Sequence, residues 1–199
     1  GLNYFDTYSP VTRITSIHIV IAIAVLRGLE IHQMDVKTAF LNGDLDEEIY
    51  MEQLEGFSTL GKNKKVCKLL KSLYSLKQIS KQWHEKFDNA MLLNGFRINE
   101  CDKCIYVKDT GRGYFILCLY VDDILIVGNN DEMIRTTKRL LNSKFNMKDM
   151  GLANVILGIK ITRTSNGIVL SQSHYVEIIL EKSSISDTSV SKTPVDVSL

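Results

Sequence analysis

The sequence has almost no net charge to act with: 24 Lys and Arg stand against 23 Asp and Glu, a formal +1 at pH 7. That balance excludes an overall field of the kind that drives indiscriminate binding to nucleic acid or membranes, so any such binding must come from a local patch. Long apolar runs are missing too. The longest, residues 17–26, is interrupted by His18 and stopped by Arg27, well short of the roughly 20 apolar residues a membrane span needs. It reads as a buried helix, and no membrane partner is expected. Cysteine is scarce and scattered, with only Cys101 and Cys104 close together among the four, a pattern of reduced intracellular thiols rather than a disulfide framework. The chain opens on Gly1 without a basic stretch and small-residue cleavage site, and so reads as an internal fragment with no secretory leader. No internal repeat or low-complexity tract is visible.

What is present is a globular composition: 199 residues, 45% hydrophobic and 24% charged. Disorder and fibres are thereby excluded, and the length suits one domain of ordinary size. Thr15 or Ser16 is placed to cap an apolar helix that Gly28 ends. Residues 29–35 alternate as a short strand whose last member is Asp35. Leu41-Asn42-Gly43-Asp44 signals a turn, and residues 48–53 read as another strand with an acidic edge. Val66, Leu69, Leu70, Leu73 and Leu76 recur at helical spacing, and after Ser80 a second helix puts Trp83, Phe87, Ala90 and Met91 on one side until Gly95. Residues 105–107 form a short strand. Two apolar runs, 114–120 and 124–127, flank Val121-Asp122-Asp123, which predicts a β-hairpin with carboxylates at its tip. A helix over 132–141, strands over 155–163 and 168–171 joined by Thr164-Ser165-Asn166-Gly167, and a helix over 175–182 capped by Ser173 complete the pattern.

Charge is uneven along the chain. Residues 44–55 carry six acids and no base, whereas residues 62–86 carry eight lysines and one acid. The lysines are either a solvated helix face or a set of phosphate contacts that give affinity without sequence choice.

The hairpin tip carries the most chemistry. Successive strand residues face opposite ways, so Asp122 and Asp123 can serve one ligand only if a turn redirects one of them. An Asp-Asp pair is by itself an ordinary turn sequence. Two wholly apolar strands leading into two acids is nevertheless a costly arrangement unless a cation or solvent meets them. Hard carboxylate oxygens suit magnesium, and Asp35 at another strand end would supply a third.

Tyr120-Val121-Asp122-Asp123 followed by Ile124-Leu125-Ile126-Val127-Gly128 resembles the Tyr-x-Asp-Asp hairpin of reverse transcriptases. Gln33-Met34-Asp35-Val36-Lys37-Thr38-Ala39-Phe40-Leu41-Asn42-Gly43, Ile49-Tyr50-Met51-Glu52, Leu73-Tyr74-Ser75-Leu76-Lys77-Gln78 and Leu157-Gly158-Ile159 resemble, in order, further blocks of the copia-type LTR-retrotransposon reverse transcriptase. The resemblance spans nearly the whole chain. It implies an α+β right-hand polymerase palm of ferredoxin-like βαββαβ type with partial fingers over residues 1–183, and an extended tail over 184–199. It implies an RNA-directed DNA polymerase in which Asp35, Asp122 and Asp123 are the catalytic triad and hold two Mg2+ ions, with Mn2+ able to substitute. Phe40 matches an aromatic gate against a ribose 2′-OH, and Val36, Gln78 and Tyr120 fall with it around the incoming dNTP. Core packing is the other reading of Phe40. Lys68, Lys71, Lys77 and Lys81 are the candidates for contacts to a primed RNA or DNA template. The resemblance further implies ribonuclease H and integrase regions elsewhere in an intact Pol polyprotein, a cytoplasmic virus-like particle as location, and a basic fingers segment upstream of the Tyr4-Phe5 block.

The chain departs from the family pattern at several points. Leu54, Ile79-Ser80 and Lys103 stand where the blocks carry proline, and Ser75 stands for a glycine. Two other readings therefore remain: an inactive retrotransposon remnant, and a non-catalytic RRM-like module that binds RNA through aromatics. The intact triad speaks against the first, and the lack of a basic-aromatic strand signature against the second. Cys101-Asp102-Lys103-Cys104 has zinc-like spacing but no second pair, and His18, His32, His84 and His174 are scattered, so zinc is not expected. Trp83 either packs its helix on the sheet or stacks on a base.

Overall fold

The two apolar runs are adjacent central strands. In the computed structural model, which describes residues 8–45, 47–54, 56–57, 65–73, 76–109, 111, 114–165 and 167–182, β6 (Tyr114–Tyr120) pairs antiparallel with β7 (Asp123–Gly128). Every residue of 115–119 and 124–128 is buried, which is why neither run alternates: both faces of these strands are covered. The Tyr4-Phe5 block, Tyr74-Ser75, Arg112-Gly113, Asn166 and the tail 184–199 lie outside the described residues.

The chain forms two units, Gly1–Ala153 and Asn154–Leu199. In the first, β1 (Glu30–Val36), β4 (Arg97–Ile98), β5 (Ile105–Asp109), β6, β7 and β8 (Met147–Leu152) make an antiparallel sheet in the order β4-β5-β6-β7-β1-β8. Helices α2 (Ile79–Leu93) and α3 (Asp131–Lys144) cover one face. There Trp83, Phe87 and Met91 of α2 and Ile134 and Leu141 of α3 share a core with Met34, Val36, Leu117, Ile124 and Ile126. The expected apolar face of α2 is thus the buried one. Phe145 stacks on Phe87 at 5.7 Å and meets Trp83 edge-on at 5.0 Å, aromatic pairings that add to the area they bury. Asn130 caps α3 by accepting from the Met133 amide, with Asp131 and Glu132 in the first turn, where acids complement the helix dipole.

Helix α1 (Ile14–Arg27) lies against β1 and β7 with Ile17, Val20, Ile21 and Ala24 buried. The helix expected to be buried exposes Ile19, Ile23 and Leu26. Its start also differs: Arg13 precedes the first turn and no side chain caps it. The hydroxyl put to use is that of buried Thr12, which donates to the Leu119 carbonyl at 2.8 Å and ties the helix entry to β6. Gly28 ends α1 at φ 60, its amide and that of Leu29 reaching back to the last turn, a geometry that glycine adopts without steric cost.

The segment expected to be a helix over residues 66–76 is not one. β2 (Tyr50–Glu52) and β3 (Val66–Lys68) form a two-stranded antiparallel pair, and the described residues 69–73 are irregular. Val66 and Leu70 are exposed, so the apolar spacing had no face to bury and no helix to stabilise.

In the second unit, β9 (Val155–Ile156), β10 (Ile159–Thr164) and β11 (Gly167–Ser171) form a three-stranded sheet in the order β11-β10-β9. The single strand expected over 155–163 is broken at Leu157-Gly158, both at positive φ (51 and 76), and the chain doubles back so that Ile156 faces Ile159. Helix α4 (Ser173–Lys182) follows. Ser173 is its first residue rather than its cap, and its amide donates to Ser171 Oγ at 3.2 Å.

Candidate active site

Strand register brings two of the acids face to face. Asp35, next to last in β1, is the Cα partner of Asp123, first in β7. Directly opposed residues of an antiparallel pair share a face, so both carboxylates project from the face opposite the α2 and α3 core. Tyr120 pairs with Asp123 as the last rung of β6–β7, which leaves Val121 and Asp122 as a two-residue turn.

That turn is strained and held. Val121 has φ 56, a left-handed conformation that is a true outlier for a β-branched residue. Its carbonyl accepts from Trp83 Nε1 at 2.7 Å, and the Asp122 carbonyl accepts from the Val36 amide at 2.8 Å. One helix and one strand thus fix the two peptides that flank Asp122, whose side chain is exposed. Strain of this kind persists only where the surroundings over-determine it, and it concentrates at functional sites.

Gln33, two residues before Asp35 and so on its face, donates from Nε2 to Asp123 Oδ1 at 2.9 Å. Burial pushes the Asp123 carboxyl up, the Gln33 amide pulls it down, and the negative charges of Asp122 and Asp35 push it up again; the balance lies above the ordinary carboxylate range. The side chains of Asp35 and Asp122 have no hydrogen-bond donor or cation partner among the described residues. Three hard oxygen donors that repel one another, two of them without a donor, are chemically suited to a hard divalent cation. The side chains do not converge on one point: among the described residues no group of three His, Cys, Asp or Glu side chains is gathered closely enough to hold a metal ion.

The other expected site residues are distributed unevenly. Phe40 lies in a 3-10 turn, Ala39–Asn42, entered through Thr38 at φ 52. It is half-buried against the core and also lines a cavity of about 480 Å³ with Val121, Trp83, Lys77 and Ser80. Val36 is buried in the core, and what it presents to the turn is its amide. Tyr120 is half-buried at the end of β6. Gln78 precedes α2 and makes no side-chain cap; its neighbours Lys77 and Ser80, not Gln78, line the cavity.

The lysines do not share a helix face. Lys68 is in β3 and ion-paired with Glu48, Lys71 is exposed after that strand, Lys77 is in the turn before α2, and Lys81 is 3.7 Å from Glu85 on α2. Cys101 is exposed while Cys104 is buried and donates to the Pro10 carbonyl. Two contacts were not foreseen from the sequence. The indole hold on Val121 leaves no signal in the sequence beyond a lone Trp, and the stacking alternative for Trp83 is ruled out by its 2% exposure. The Gln33 contact had one, since period-2 spacing from Asp35 puts that amide on the carboxylate face.

Three carboxylates thus stand at one end of an antiparallel sheet, beside a cavity. Residues 1–197 match the family described as Reverse transcriptase (RNA-dependent DNA polymerase). The chain is 47% identical over 197 residues to the retrovirus-related Pol polyprotein from transposon TNT 1-94 of Nicotiana tabacum, covering 98% of this chain and 15% of that protein. It is 38% identical over 194 residues to the one from transposon RE1 of Arabidopsis thaliana, covering 98% of this chain and 13% of that protein. The putative transposon Ty5-1 protein YCL074W of Saccharomyces cerevisiae is 34% identical over 162 residues, 81% of this chain and 53% of that protein. No solved structure matches. The chain belongs to the reverse transcriptase family, in its copia-type retrotransposon branch. It spans about one seventh of the length of the first two relatives, and among its described residues no helix is long and apolar enough to cross a membrane.

Proposed function

We propose that this chain is the palm and partial fingers of an RNA-directed DNA polymerase, adding dNTPs to a primer 3′-hydroxyl on an RNA or DNA template. The observation that carries this reading is the strained Val121-Asp122 turn, which holds an exposed carboxylate beside the facing pair Asp35 and Asp123. The topology supports it: β1, α2, β6, β7, α3 and β8 run in the order of a split βαββαβ unit with strands arranged β8-β1-β7-β6, the ferredoxin-like pattern.

Two bound Mg2+ ions, or Mn2+ in their place, would activate the attacking hydroxyl and stabilise the leaving pyrophosphate. Asp35 and Asp122, the carboxylates with no donor among the described residues, would hold them, and Asp123 would complete the set. Asp123 is kept in place by Gln33, and burial together with the charges of Asp122 and Asp35 raises its carboxyl above its ordinary value. The protein's part is positioning, since phosphoryl transfer asks for little covalent work. Phe40, on the cavity wall beside Val121, is suited to reject a ribose 2′-OH, and Gln78, Val36 and Tyr120 are the further residues assigned to the dNTP. Lys71, Lys77 and Lys81 would meet backbone phosphates, Lys81 exchanging Glu85 and Lys68 exchanging Glu48 for them. In an intact element this unit would stand in a Pol polyprotein with ribonuclease H and integrase regions, within a cytoplasmic virus-like particle.

The test is extension of oligo(dT) on poly(rA) with dTTP and Mg2+ by the 199-residue chain. Extension that Asp122→Asn and Asp35→Asn both abolish is expected. Extension unchanged in those variants, or none at all from the parent chain, would overturn the reading and leave the remnant alternative.

A further inference from the structure

Trp83 is the only tryptophan in the chain, and its indole N–H is spent on a single acceptor, the carbonyl of the residue that carries the strain. Its ring packs against Phe87 at 5.7 Å and Phe145 at 5.0 Å, which also stack on each other. The donor is therefore delivered from a rigid wall of α2 to a peptide that would not choose its conformation unaided. On the far side of Asp122 the Val36 amide performs the same service for the next carbonyl. The second of these bonds is backbone to backbone and indifferent to side-chain identity; the first depends on one indole nitrogen.

We propose that Trp83 is a positioning residue for nucleotidyl transfer: its indole N–H, through the Val121 carbonyl, sets the direction in which Asp122 presents its carboxylate to a divalent cation. This rests on the function proposed above. Trp83 touches neither cation nor nucleotide; it acts through the turn. Without the bond, the Val121 peptide is free to rotate out of the left-handed region, and the Asp122 carboxylate turns with it. The register of Asp35 and Asp123 is untouched, because it is set by the β1–β7 ladder. Loss of the N–H should consequently weaken cation binding while the fold and the affinity for dTTP stay close to the parent's.

The single tryptophan allows an isosteric test. Replacing Trp83 with β-(3-benzothienyl)alanine keeps the bicyclic shape and removes the N–H, whereas 5-fluorotryptophan keeps both. Mn2+ binding to each full chain is read from the free-ion electron paramagnetic resonance signal, with Trp83→Phe as a genetic counterpart and Asp122→Asn as the blank. Phe96→Leu, a buried core substitution that packs on Phe115 and not on Trp83, is the structural control. The expected result is Mn2+ binding weakened about tenfold in the benzothienyl chain, the low end of what loss of an outer partner costs a metal site. The fluorotryptophan and Phe96→Leu chains should bind as the parent does, and in primer extension the benzothienyl chain should lose kcat with KM for dTTP within about twofold. Equal Mn2+ affinity in the benzothienyl and fluorotryptophan chains would overturn the clamp and leave the polymerase reading standing. Equal weakening by Phe96→Leu would make the loss a general effect of core packing and also overturn it. Mn2+ binding that Asp122→Asn leaves intact would overturn the function assigned to the turn, and the clamp with it.

Discussion

At Val121 the usual ranking of alanine over glycine should reverse. Val121→Ala takes away the two γ-methyl groups of this half-buried side chain and Val121→Gly the β-carbon as well, so the lost burial cancels between the two variants except for one carbon, worth about 0.4 kcal/mol in favour of Ala when half-buried. What remains is backbone. At φ 56 a Cβ costs about 1–2 kcal/mol, which Gly escapes. Against that, Gly has the greater freedom to lose on folding, roughly 0.5–1 kcal/mol relative to Ala. Val121→Gly should therefore be more stable than Val121→Ala by about 0.1–0.6 kcal/mol. In urea unfolding at a slope of about 2 kcal/mol/M that is a midpoint difference of about 0.05–0.3 M. Trp83 emission follows the transition of the unit that contains the turn. The same pair at Val107, half-buried in the regular strand β5, serves as the control and should show the opposite sign, with Gly the less stable. A Val121→Ala variant as stable as Val121→Gly or more so would refute the strain, and with it the argument that the turn is held against its own preference.

Four further outcomes follow from named contacts. Asp122→Asn should end metal-dependent extension with the urea midpoint within about 0.5 kcal/mol of the parent, as for an exposed side chain away from structural contacts; a large loss of stability would make Asp122 structural. Asp123 has its folded acidity weakened, so its charge disfavours the fold: its contribution is most favourable below the ordinary Asp value and is lost as pH rises through the raised folded value. Asp123→Asn should accordingly gain stability on the parent at pH 7 and lose that advantage towards pH 4, and an advantage independent of pH would refute the repulsion. Asp149 runs the other way: partial burial would raise its pKa, but Lys138 at 2.7 Å, the Gly151 amide and His32 lower it overall, so the stability it lends is present above the ordinary Asp value and lost as pH falls through the lowered one. Lys138→Met should shrink that acid-limb dependence, read as the midpoint between pH 5 and 2. Phe40→Ala should relax discrimination between dTTP and UTP while costing about 1–2 kcal/mol for a half-buried ring packed on the core; a change in stability alone would return Phe40 to packing.

The sequence was legible where one periodicity matched one environment. Residues 114–120 and 124–127 read as buried strands because both faces of β6 and β7 are covered, and Trp83, Phe87, Ala90 and Met91 read as one helix face because that face is the one buried. Asp35 at a strand end and the carboxylates at the hairpin tip followed from the same patterns. The reading failed where local spacing had no tertiary partner. Val66, Leu69, Leu70 and Leu73 keep a helical period, yet Val66 and Leu70 are exposed and Leu69 and Leu73 only half-buried. β8, with only Met147 buried among its six residues, offers no alternation to read, and it joins the sheet through its ladder to β1 with a bulge at Gln33/Met34. The facing of Asp35 with Asp123 depends on register between segments almost ninety residues apart, which turn chemistry alone could not supply.

Stability and chemistry are divided between different atoms of the same turn. The side chains of Asp35 and Asp122 make no hydrogen bond among the described residues, so the fold draws little from them. The backbone of the turn, by contrast, is tied to the core through Trp83 and Val36, and the wall that supplies Trp83 is the aromatic cluster of Phe87, Phe145 and Tyr106. Damage to the carboxylates should then leave a folded, inactive protein, whereas damage to the aromatic cluster should reach the site through the fold. The two are separable by one comparison: Asp35→Asn and Phe87→Leu should both reduce extension, but only Phe87→Leu should lower the urea midpoint, by about 1–3 kcal/mol for a shape change in a filled core. A midpoint shift of that size in Asp35→Asn would mean that the carboxylates support the sheet as well as the chemistry, and that the division drawn from their missing partners is wrong.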